Sequence, residues 1–281
     1  MEQNKTKPTQ KPLAFVTGYG QLCNNILQFG HLYAWGKNNG IDIIGMRFCY
    51  KYPFFKINQK KEYNWFTYLF AKYGYKLKFI PKVSFMEEKD VNQHNINNLF
   101  KNKYSLIEGW HLRDYEAFIQ YKNEIKDLFS FKNEIVLNTN EWLPPKTATI
   151  RLGVHIRRGD YIRWMEGKYF YTDKDFINII HQFIHLFPDK KIEIILVSNE
   201  KSLNKDIYLQ NIKIPVYFIS GNPGEDLYAL STCDYIIGPP STFSLMASFY
   251  NDSNLYWVLD KNKKLDSNSF QKFEVLFKEI I

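Results

Sequence analysis

Short apolar runs alternate with stretches of helical periodicity along most of the chain. Residues 13–17 form a β-rich run, a turn with Gly18 and Gly20 follows, and apolar positions then recur at helical spacing over 24–38. Gly40 is a typical helix stop, and 41–48 is predicted as the next strand. Strand, helix and strand within about 36 residues make a βαβ unit, which predicts a parallel sheet.

A second series of the same kind follows two prolines. Residues 50–145 are rich in Lys and aromatic side chains and predict a strand at 105–107 and a helix at 114–129, while Pro144 and Pro145 mark a linker at 141–145. Beyond the linker we predict strands at 149–156, 192–197, 216–219 and 235–237, and helices at 174–187, 225–231 and 269–281. The expected fold is α/β, with two doubly wound Rossmann-like halves facing across a cleft. Its expected parts are a disordered leader (1–12) and domains over 13–145 and 146–281.

Composition and charge narrow the class of protein. Of 281 residues 45% are hydrophobic, and 37 Lys and Arg against 29 Asp and Glu give a net charge of +8, which favours anionic partners. The longest apolar run, 192–197, is far shorter than the ~20 residues of a transmembrane helix. The polar start of the chain predicts no signal peptide. Cys23, Cys49 and Cys233 form no C-x-x-C, so free thiols and a cytoplasmic location are expected.

The strongest chemical signal is the string HIRRGDY from His155 to Tyr161, directly after a predicted strand. The carboxyl end of a parallel strand is where open α/β sheets bind ligands. Arg157 and Arg158 in that place favour an anionic ligand, because a guanidinium holds a phosphate with two charge-assisted bonds. Asp160 is placed to fix one guanidinium and aim the other. The alternative is a solvated charged turn.

A second signal follows the strand predicted at 235–237. Ser241, Thr242, Phe243 and Ser244 stand where a helix begins, and the hydroxyl and N–H groups of such a segment can bind phosphate oxygens. A simple helix cap is the alternative interpretation.

The turn at Gly18 and Gly20 is a weak match to a dinucleotide fingerprint. Cys23 stands where the third glycine would be, and the second predicted strand ends without an acid for a ribose. A nicotinamide dehydrogenase is therefore disfavoured. A turn that lets a ligand approach the first helix, near Asn24 and Gln28, remains the expectation.

Asp173 and Asp175 suggest a D-x-D metal site, but helix capping together with Thr172 is the favoured interpretation. His181 and His185 lie four residues apart on the same predicted helix, with no third ligand nearby, and are expected on its surface. No metal site is predicted.

Together these strings resemble the bacterial and animal α-1,2-fucosyltransferases of glycosyltransferase family 11, within the group that includes α-1,6- and protein O-fucosyltransferases. The family string H-x-R-R-G-D-Y matches in full from His155. Weaker similarities are GQLCNN at 20–25 with Gln28, IEGWHLRDY at 107–115, VSNE at 197–200, EDL at 225–227 and STFS at 241–244. The chain departs from the family pattern at Cys23, Asn25, Asn199, Glu200, Pro240, Leu245 and Met246.

The resemblance implies a GT-B-like fold, an acceptor-side first domain and a nucleotide-sugar-binding second domain. It implies GDP-β-L-fucose as donor, inversion to an α-fucoside, no metal and no cofactor. By the same resemblance His155 and Asp226 would contact guanine and ribose, Arg157 and Arg158 the diphosphate, and 241–244 the β-phosphate. The expected activity is of the galactoside 2-α-L-fucosyltransferase type, acting on a glycan or lipid-linked glycan in surface polysaccharide or glycan synthesis.

The chemistry places two demands on the residues. Negative charge grows on the departing diphosphate, and Arg158 is the residue predicted to meet it. A carboxylate must take the proton of the acceptor hydroxyl, and Glu166 is a candidate base by its location alone.

The rival interpretation is an anionic-polymer or membrane-surface binding protein with a degenerate nucleotide-sugar fold. The net charge and the mixing of Lys with aromatic residues over 50–82 favour it, whereas no RNA-binding signature appears, so nucleic acid is not an expected partner. A related expectation is peripheral contact of the basic first half with an acidic inner membrane face.

Overall fold

Each half of the chain builds its own parallel sheet from the repeated strand–helix pattern. The computed structural model describes residues 11–200 and 202–280, and the chain divides into two compact units, Met1–Ser130 and Phe131–Ile281. The predicted leader lies, for residues 1–10, outside the described residues. The predicted boundary at 145/146 lies inside the second unit, and the assignment of acceptor and nucleotide-sugar roles to two domains stays a prediction.

The first unit contains β1 (Leu13–Val16), α1 (Leu22–Asn39), β2 (Asp42–Gly45), α2 (Trp65–Lys76), β3 (Lys82–Phe85), α3 (Gln93–Lys101), β4 (Tyr104–Gly109), α4 (Tyr115–Gln120) and α5 (Lys122–Leu128). Its sheet has the order β2-β1-β4-β3, and every pair is parallel. The strand order reverses between β1 and β4, so the loops after these two strands lie at the switch point of this sheet.

The first βαβ unit forms as its pattern predicts, apart from the end of its second strand. Helix α1 ends at Gly40, whose left-handed φ of 71° makes the turn into β2. The strand predicted over 41–48 stops at Gly45, and Met46–Cys49 form a 3-10 helix instead. This turn lets the Phe48 ring leave the sheet and pack 4.8 Å from the Phe129 ring. The helix predicted at 114–129 is broken at Tyr121 into α4 and α5.

The second unit contains α6 (Asn133–Asn140), β5 (Ile150–Ile156), α7 (Asp173–Leu186), β6 (Ile192–Ser198), α8 (Lys205–Asn211), β7 (Val216–Ile219), α9 (Pro223–Ser231), β8 (Tyr235–Gly238), α10 (Thr242–Asn251), β9 (Asn254–Trp257) and α11 (Phe273–Leu276). Its parallel sheet has the order β7-β6-β5-β8-β9. Counted from β5, this is the order 3-2-1-4-5 of dinucleotide-binding sheets, whose switch point lies between the first and fourth strands.

A buried ion pair explains the one charged residue in the apolar run of β6. Arg151 lies opposite Glu193 in the β5–β6 register, and Arg151 Nε donates to Glu193 Oε1 at 2.6 Å. The other guanidinium nitrogens donate to Thr232 Oγ1 and to the carbonyl of Pro144. The charge is therefore fully partnered where both faces of the sheet are covered.

The closing helix predicted at 269–281 is wrong in extent. Among the described residues only α11 is α-helical there, flanked by short 3-10 turns, and Ile281 lies outside them. Gln271 instead exchanges two backbone hydrogen bonds of 2.9 Å with Leu255. This pairing holds the backbone extended and delays the start of the helix.

Candidate functional site

The loops after β5 and β8 meet at the switch point of the second sheet. Tyr161, in the loop after β5, donates its hydroxyl to the carbonyl of Pro240, after β8, at 2.5 Å. Gly159 has a left-handed φ of 66°, which lets the chain turn sharply after the two arginines. The strongest motif and the second motif of the sequence are thus joined at one edge of the sheet.

His155, near the end of β5, is buried and keeps one ring nitrogen without a partner. It is 3% exposed, and its ring lies 5.1 Å from the Phe243 ring. Burial, aided by the positive charge of Arg157, lowers the pKa of His155 to about 3, so the imidazole is neutral at physiological pH. Among the described residues nothing hydrogen-bonds its Nδ1. A buried polar atom in this condition is a candidate ligand contact.

Arg157 keeps most of its guanidinium available. Its Nη2 donates to Asp160 Oδ2 at 2.9 Å, and the guanidinium carbon lies 5.5 Å from the centre of the Tyr161 ring. Within residues 11–200 and 202–280, Nε and Nη1 have no hydrogen-bond partner. The expectation that Asp160 fixes one guanidinium agrees with this geometry.

Arg158 points into a set of protein partners instead. All three guanidinium nitrogens donate, Nε to the Tyr171 carbonyl at 3.1 Å, Nη1 to Glu200 at 2.7 Å and Nη2 to Asp173 at 2.5 Å. Although burial acts to lower it, these two carboxylates hold the pKa of Arg158 above its ordinary value. The side chain ties the loop to the start of α7 and the end of β6.

The backbone of Arg158 is held as firmly as its side chain. Asn199 accepts from the Arg158 N–H at 2.8 Å and donates to its carbonyl at 3.1 Å. Tyr208 donates to the same Asp173 oxygen at 2.6 Å. In the sequence, Asn199 and Glu200 stood out only as departures from the family pattern. The structure shows that both hold Arg158.

Helix α10 begins beside these loops with a formed cap. Ser241 is its N-cap and accepts from the Phe243 N–H at 3.2 Å. Ser244 is fully buried, donates to the Ser241 carbonyl and accepts from the Trp257 indole at 3.2 Å. The structure thus contains the cap, and phosphate contacts by Ser241, Thr242, Phe243 and Ser244 stay a prediction.

Asp226 lies on α9, which follows β7 rather than β5 or β8. Its Oδ1 accepts from the Gly221 N–H at 3.0 Å. Burial raises the pKa of Asp226 to about 7, with the Glu225 charge adding to the rise. In the described chain no hydrogen bond or ion pair joins Asp226 to His155 or to either motif arginine.

Glu166 is exposed on a strained turn. It follows Met165 and precedes Gly167, and these three residues have left-handed φ values of 47°, 58° and 78° in chain order. Such values are costly for residues with a side chain. A role as base stays a prediction.

The D-x-D segment is a helix start. Thr172 is the N-cap of α7, and Asp175 completes a capping box with it. Asp173 does not cap the helix but holds Arg158, which the sequence pattern did not indicate. His181 and His185 bond to backbone carbonyls on the helix surface. Across the described residues there is no cluster of three or more His, Cys, Asp or Glu that could hold a metal ion.

The first unit has its own switch-point features. Gly18 has a φ of 83°, and a Cβ there would lie 2.1 Å from Asn25 Oδ1, so only glycine fits. Gly20 is also left-handed, beside Asn24. Gln28 donates to the carbonyl of Gly109, at the end of β4, and its buried Oε1 has no partner among the described residues.

Two aromatic rings extend this edge of the first sheet. The Tyr19 ring, after β1, lies 5.6 Å from the Trp110 ring, after β4, and the Arg113 guanidinium lies 4.5 Å above Trp110. Sequence motifs indicated the glycines but not this platform, because stacked rings leave no spacing signature.

A cavity of about 850 Å³ opens elsewhere in the second unit, lined in part by Arg151, Asp234 and Asn254. These residues lie at the amino ends of the strands, opposite the edge where parallel sheets bind ligands. Arg151 already forms a buried ion pair with Glu193, so its charge is not available to an anionic ligand in this cavity. We therefore place the candidate site at the carboxyl edge, not in this cavity.

Comparison with known proteins agrees with the motifs. The family model described as Glycosyl transferase family 11 matches residues 58–279. No curated protein matches the chain in sequence. In the described residues no helix has the length and apolar character needed to cross a membrane.

Solved structures share the fold at low identity. POFUT1 in complex with GDP-fucose (crystal form II) superposes with a TM-score of 0.62 at 12% identity, covering 86% of this chain and 95% of that chain. The NodZ α-1,6-fucosyltransferase soaked with GDP-fucose gives 0.55 at 11%, covering 94% and 99%. Fucosyltransferase NodZ from Bradyrhizobium gives 0.54 at 12%, covering 89% and 96%.

These matches confirm the α/β fold that the strand pattern predicted and the GT-B-like fold that the resemblance implied. The family model spans the HIRRGDY string, the end of β6 and the start of α10, where the side chains described above converge or are held. From its sequence and its fold together, the chain belongs to glycosyl transferase family 11.

Proposed function

We propose that this protein is an inverting, metal-independent fucosyltransferase. It would move L-fucose from GDP-β-L-fucose to a hydroxyl of a glycan or lipid-linked glycan, with α-1,2 linkage, in surface polysaccharide or glycan synthesis. Family membership and the GDP and GDP-fucose present in the POFUT1 and NodZ structures support the choice of donor. Cys23, Cys49 and Cys233 form no disulfide with one another, which supports a cytoplasmic location.

One observation carries the proposal. At the switch point of the second sheet a neutral, buried imidazole lies two residues from a guanidinium. Among the residues that the structure describes, the imidazole Nδ1 and two of the guanidinium nitrogens have no hydrogen-bond partner. The first suits the hydrogen-bonding edge of a base or ribose, and the second suits a diphosphate. Few ligands other than a nucleotide need both.

In the proposed reaction, the acceptor oxygen forms a bond to C1 of fucose while the bond from C1 to the β-phosphate oxygen breaks. GDP leaves with the electron pair, and the hydroxyl proton passes to a carboxylate, for which Glu166 is the candidate. Attack on the face opposite the leaving group converts the β-linked donor into an α-fucoside.

The two motif arginines take different parts in this proposal. Arg157 meets the charge that grows on the diphosphate, because its guanidinium has free donors. Arg158, which the sequence favoured for that part, is a positioning residue, because Asp173, Glu200 and Tyr171 engage its nitrogens. It fixes the loop from which Arg157 projects.

The test is ligand-induced stabilisation. GDP at 100 times its Kd should add about 2.7 kcal/mol to the free energy of unfolding, and UDP or ADP at equal concentration should add little. His155→Phe should abolish the GDP shift, because it keeps a ring in the core but removes Nδ1. His31→Phe changes an equally buried histidine of the first unit and should retain the shift. Stabilisation by UDP but not by GDP would reject the donor.

The salt dependence of binding distinguishes the proposed nucleotide site from the rival interpretation, a polymer-binding protein. A protein that holds phosphates along a polymer loses affinity steeply as salt rises, whereas a nucleotide pocket built on a few bonds loses little. Salt-sensitive polymer binding without any response to GDP would favour the rival.

A further inference from the structure

Helix α2 presents its largest apolar side chains to solvent and buries its smallest ones. Of its twelve residues only Ala71 and Gly74 are buried. Phe66 is 81% exposed and Tyr73 50%, and Leu77, just past the helix, is 72% exposed. A surface helix ordinarily turns its apolar stripe toward the core, whereas α2 turns its large apolar side chains toward solvent.

The exposed side chains share one face. Phe66, Phe70, Tyr73 and Leu77 follow one another at intervals of three or four residues, the spacing of neighbours on a helix surface. Phe79 continues the patch, with its ring 5.8 Å from that of Phe70. We call these five residues the α2 face. It is anchored from below, because the Phe70 ring also lies 5.9 Å from the ring of Phe15 in β1.

The α2 face is bordered by positive charge. Lys82 pairs with Glu108 of β4 at 2.7 Å, whereas Lys72, Lys76 and Lys78 have no ion-pair partner among the described residues. Residues 63–86 contain four lysines and no Asp or Glu. Lys72 Nζ lies 5.3 Å from the Tyr68 ring, and Lys76 Nζ lies 5.7 Å from the Tyr73 ring. Lys78 stands in the turn between Leu77 and Phe79. The apolar patch and a row of ammonium groups therefore form one continuous surface.

We propose that the α2 face binds the surface of a lipid bilayer that carries anionic headgroups. The apolar side chains would enter the boundary between headgroups and acyl chains, the aromatic rings would lie at headgroup level, and Lys72, Lys76 and Lys78 would meet lipid phosphates. Twelve helical residues span only about 18 Å, so the helix lies in the plane of the interface.

Charge argues against a second copy of the chain on this face. Two copies related by a two-fold axis would bring the same lysines close together, with no carboxylate from 63–86 to offset them. A sheet of anionic lipid offers the opposite charge and an apolar layer at once. This proposal does not rest on the sugar donor, because the α2 face lies in the first unit and the donor site in the second.

The experiment is co-sedimentation of the full chain with vesicles of phosphatidylcholine and phosphatidylglycerol (7:3), compared with pure phosphatidylcholine. We expect binding to the mixed vesicles that weakens with salt. The triple variant Lys72→Gln, Lys76→Gln, Lys78→Gln should lower the partition coefficient about 100-fold, at about fivefold for each lysine. Phe66→Gln with Leu77→Gln should lower it at least about 100-fold through lost apolar burial.

Matched controls remove the same groups from the second unit. Lys190→Gln, Lys263→Gln, Lys264→Gln deletes three exposed lysines, and Leu137→Gln with Leu209→Gln deletes two exposed leucines. Both controls should bind vesicles as the unchanged protein does. Circular dichroism establishes that each variant folds, and the GDP response is measured separately, so failure here is distinct from failure of the proposed donor.

Four outcomes would overturn the proposal. They are absence of binding to the mixed vesicles, equal binding to pure phosphatidylcholine, equal loss in the control variants, and a dimer in light scattering that Phe66→Gln with Leu77→Gln dissociates. The last would assign the α2 face to a second copy of the chain.

Discussion

Replacing each motif arginine separately should divide catalysis from folding. In Arg157→Ala the lost ion pair is a surface one, with side chains 24% and 63% exposed, so the free energy of unfolding should fall by no more than about 1 kcal/mol. The turnover number should nevertheless fall at least about 100-fold, as for other preorganised donors to a developing anion. Arg157→Lys should not restore it, because a lysine lacks the planar fork.

Arg158→Ala should behave in the opposite way. It removes three hydrogen bonds and leaves the Asp173 and Glu200 carboxylates, 23% and 32% exposed, without their cation. Breaking a fully buried pair costs about 3–5 kcal/mol, and partial exposure of both carboxylates reduces this to about 2–4 kcal/mol. Turnover should fall as a consequence of a loosened loop.

A compensated variant separates position from charge. Arg158→Met with Asp173→Asn and Glu200→Gln removes all three charges together and should recover most of the lost stability, because an uncharged, packed set avoids the unpaired carboxylates. Urea unfolding followed by circular dichroism, the Kd for GDP and kcat with GDP-fucose are measured for every variant. The reasoning is refuted by an Arg158→Ala protein of normal stability that has lost turnover while Arg157→Ala turns over normally.

Four further outcomes follow from the site and the fold. Chelation with EDTA should leave transfer unchanged, and a loss that Mn²⁺ restores would contradict metal independence. Asp226→Asn should raise Tm by a few degrees at pH 8 and hardly at all at pH 4. The folded carboxyl, with a pKa of about 7, resists an ionisation whose midpoint in the unfolded chain lies near pH 4; equal shifts at both pH values would reject this. Because the pKa of His155 is lowered to about 3, stability should fall as pH drops below 6.5, and His155→Phe should flatten that loss in urea unfolding. Gly18→Ala should cost several kcal/mol through its clash with Asn25, whereas Gly40→Ala, left-handed but with open space around it, should cost about 1–2 kcal/mol in the same assay.

The parts of the fold that the sequence predicted are those fixed by local pattern. The run before Gly18, the periodic helix that ends at Gly40 and the apolar strands of the second sheet are each specified within a few residues. Elements missed by the pattern lack that local signal. Helix α3 has the sequence QHNINNLFK, whose three asparagines are poor helix formers, and it is held partly by its Asn92 cap and buried Leu99.

Helix α2 was missed for a different reason. Periodicity assigns apolar residues to the core, but here the aromatic positions face outward and the buried ones are Ala71 and Gly74. The sequence indicated a basic aromatic region without locating its surface. Which of its side chains are exposed cannot be read from the local sequence pattern, and the structure is needed to define the α2 face.

The candidate site shows the same limit at the scale of single residues. The string HIRRGDY predicted a charged loop at the end of a strand, yet nothing within it distinguishes Arg157 from Arg158. The distinction comes from Asp173 and Glu200, which lie at the start of α7 and just past β6.

Those partners also explain a departure from the family pattern. The string of glycosyltransferase family 11 that VSNE at 197–200 resembles has two aspartates at the positions of Asn199 and Glu200. Asn199 holds the Arg158 backbone through both the oxygen and the nitrogen of its side-chain amide. An ionised carboxylate, which only accepts, could make only the first of these two bonds. Glu200 supplies one of the two carboxylates that pair with the guanidinium, and Asp173 supplies the other. Asn199 and Glu200 therefore share with Asp173 and Tyr171 the fixing of one arginine. With Arg158 held in this way, the two nitrogens of Arg157 that have no partner among the described residues support its proposed contact with a diphosphate.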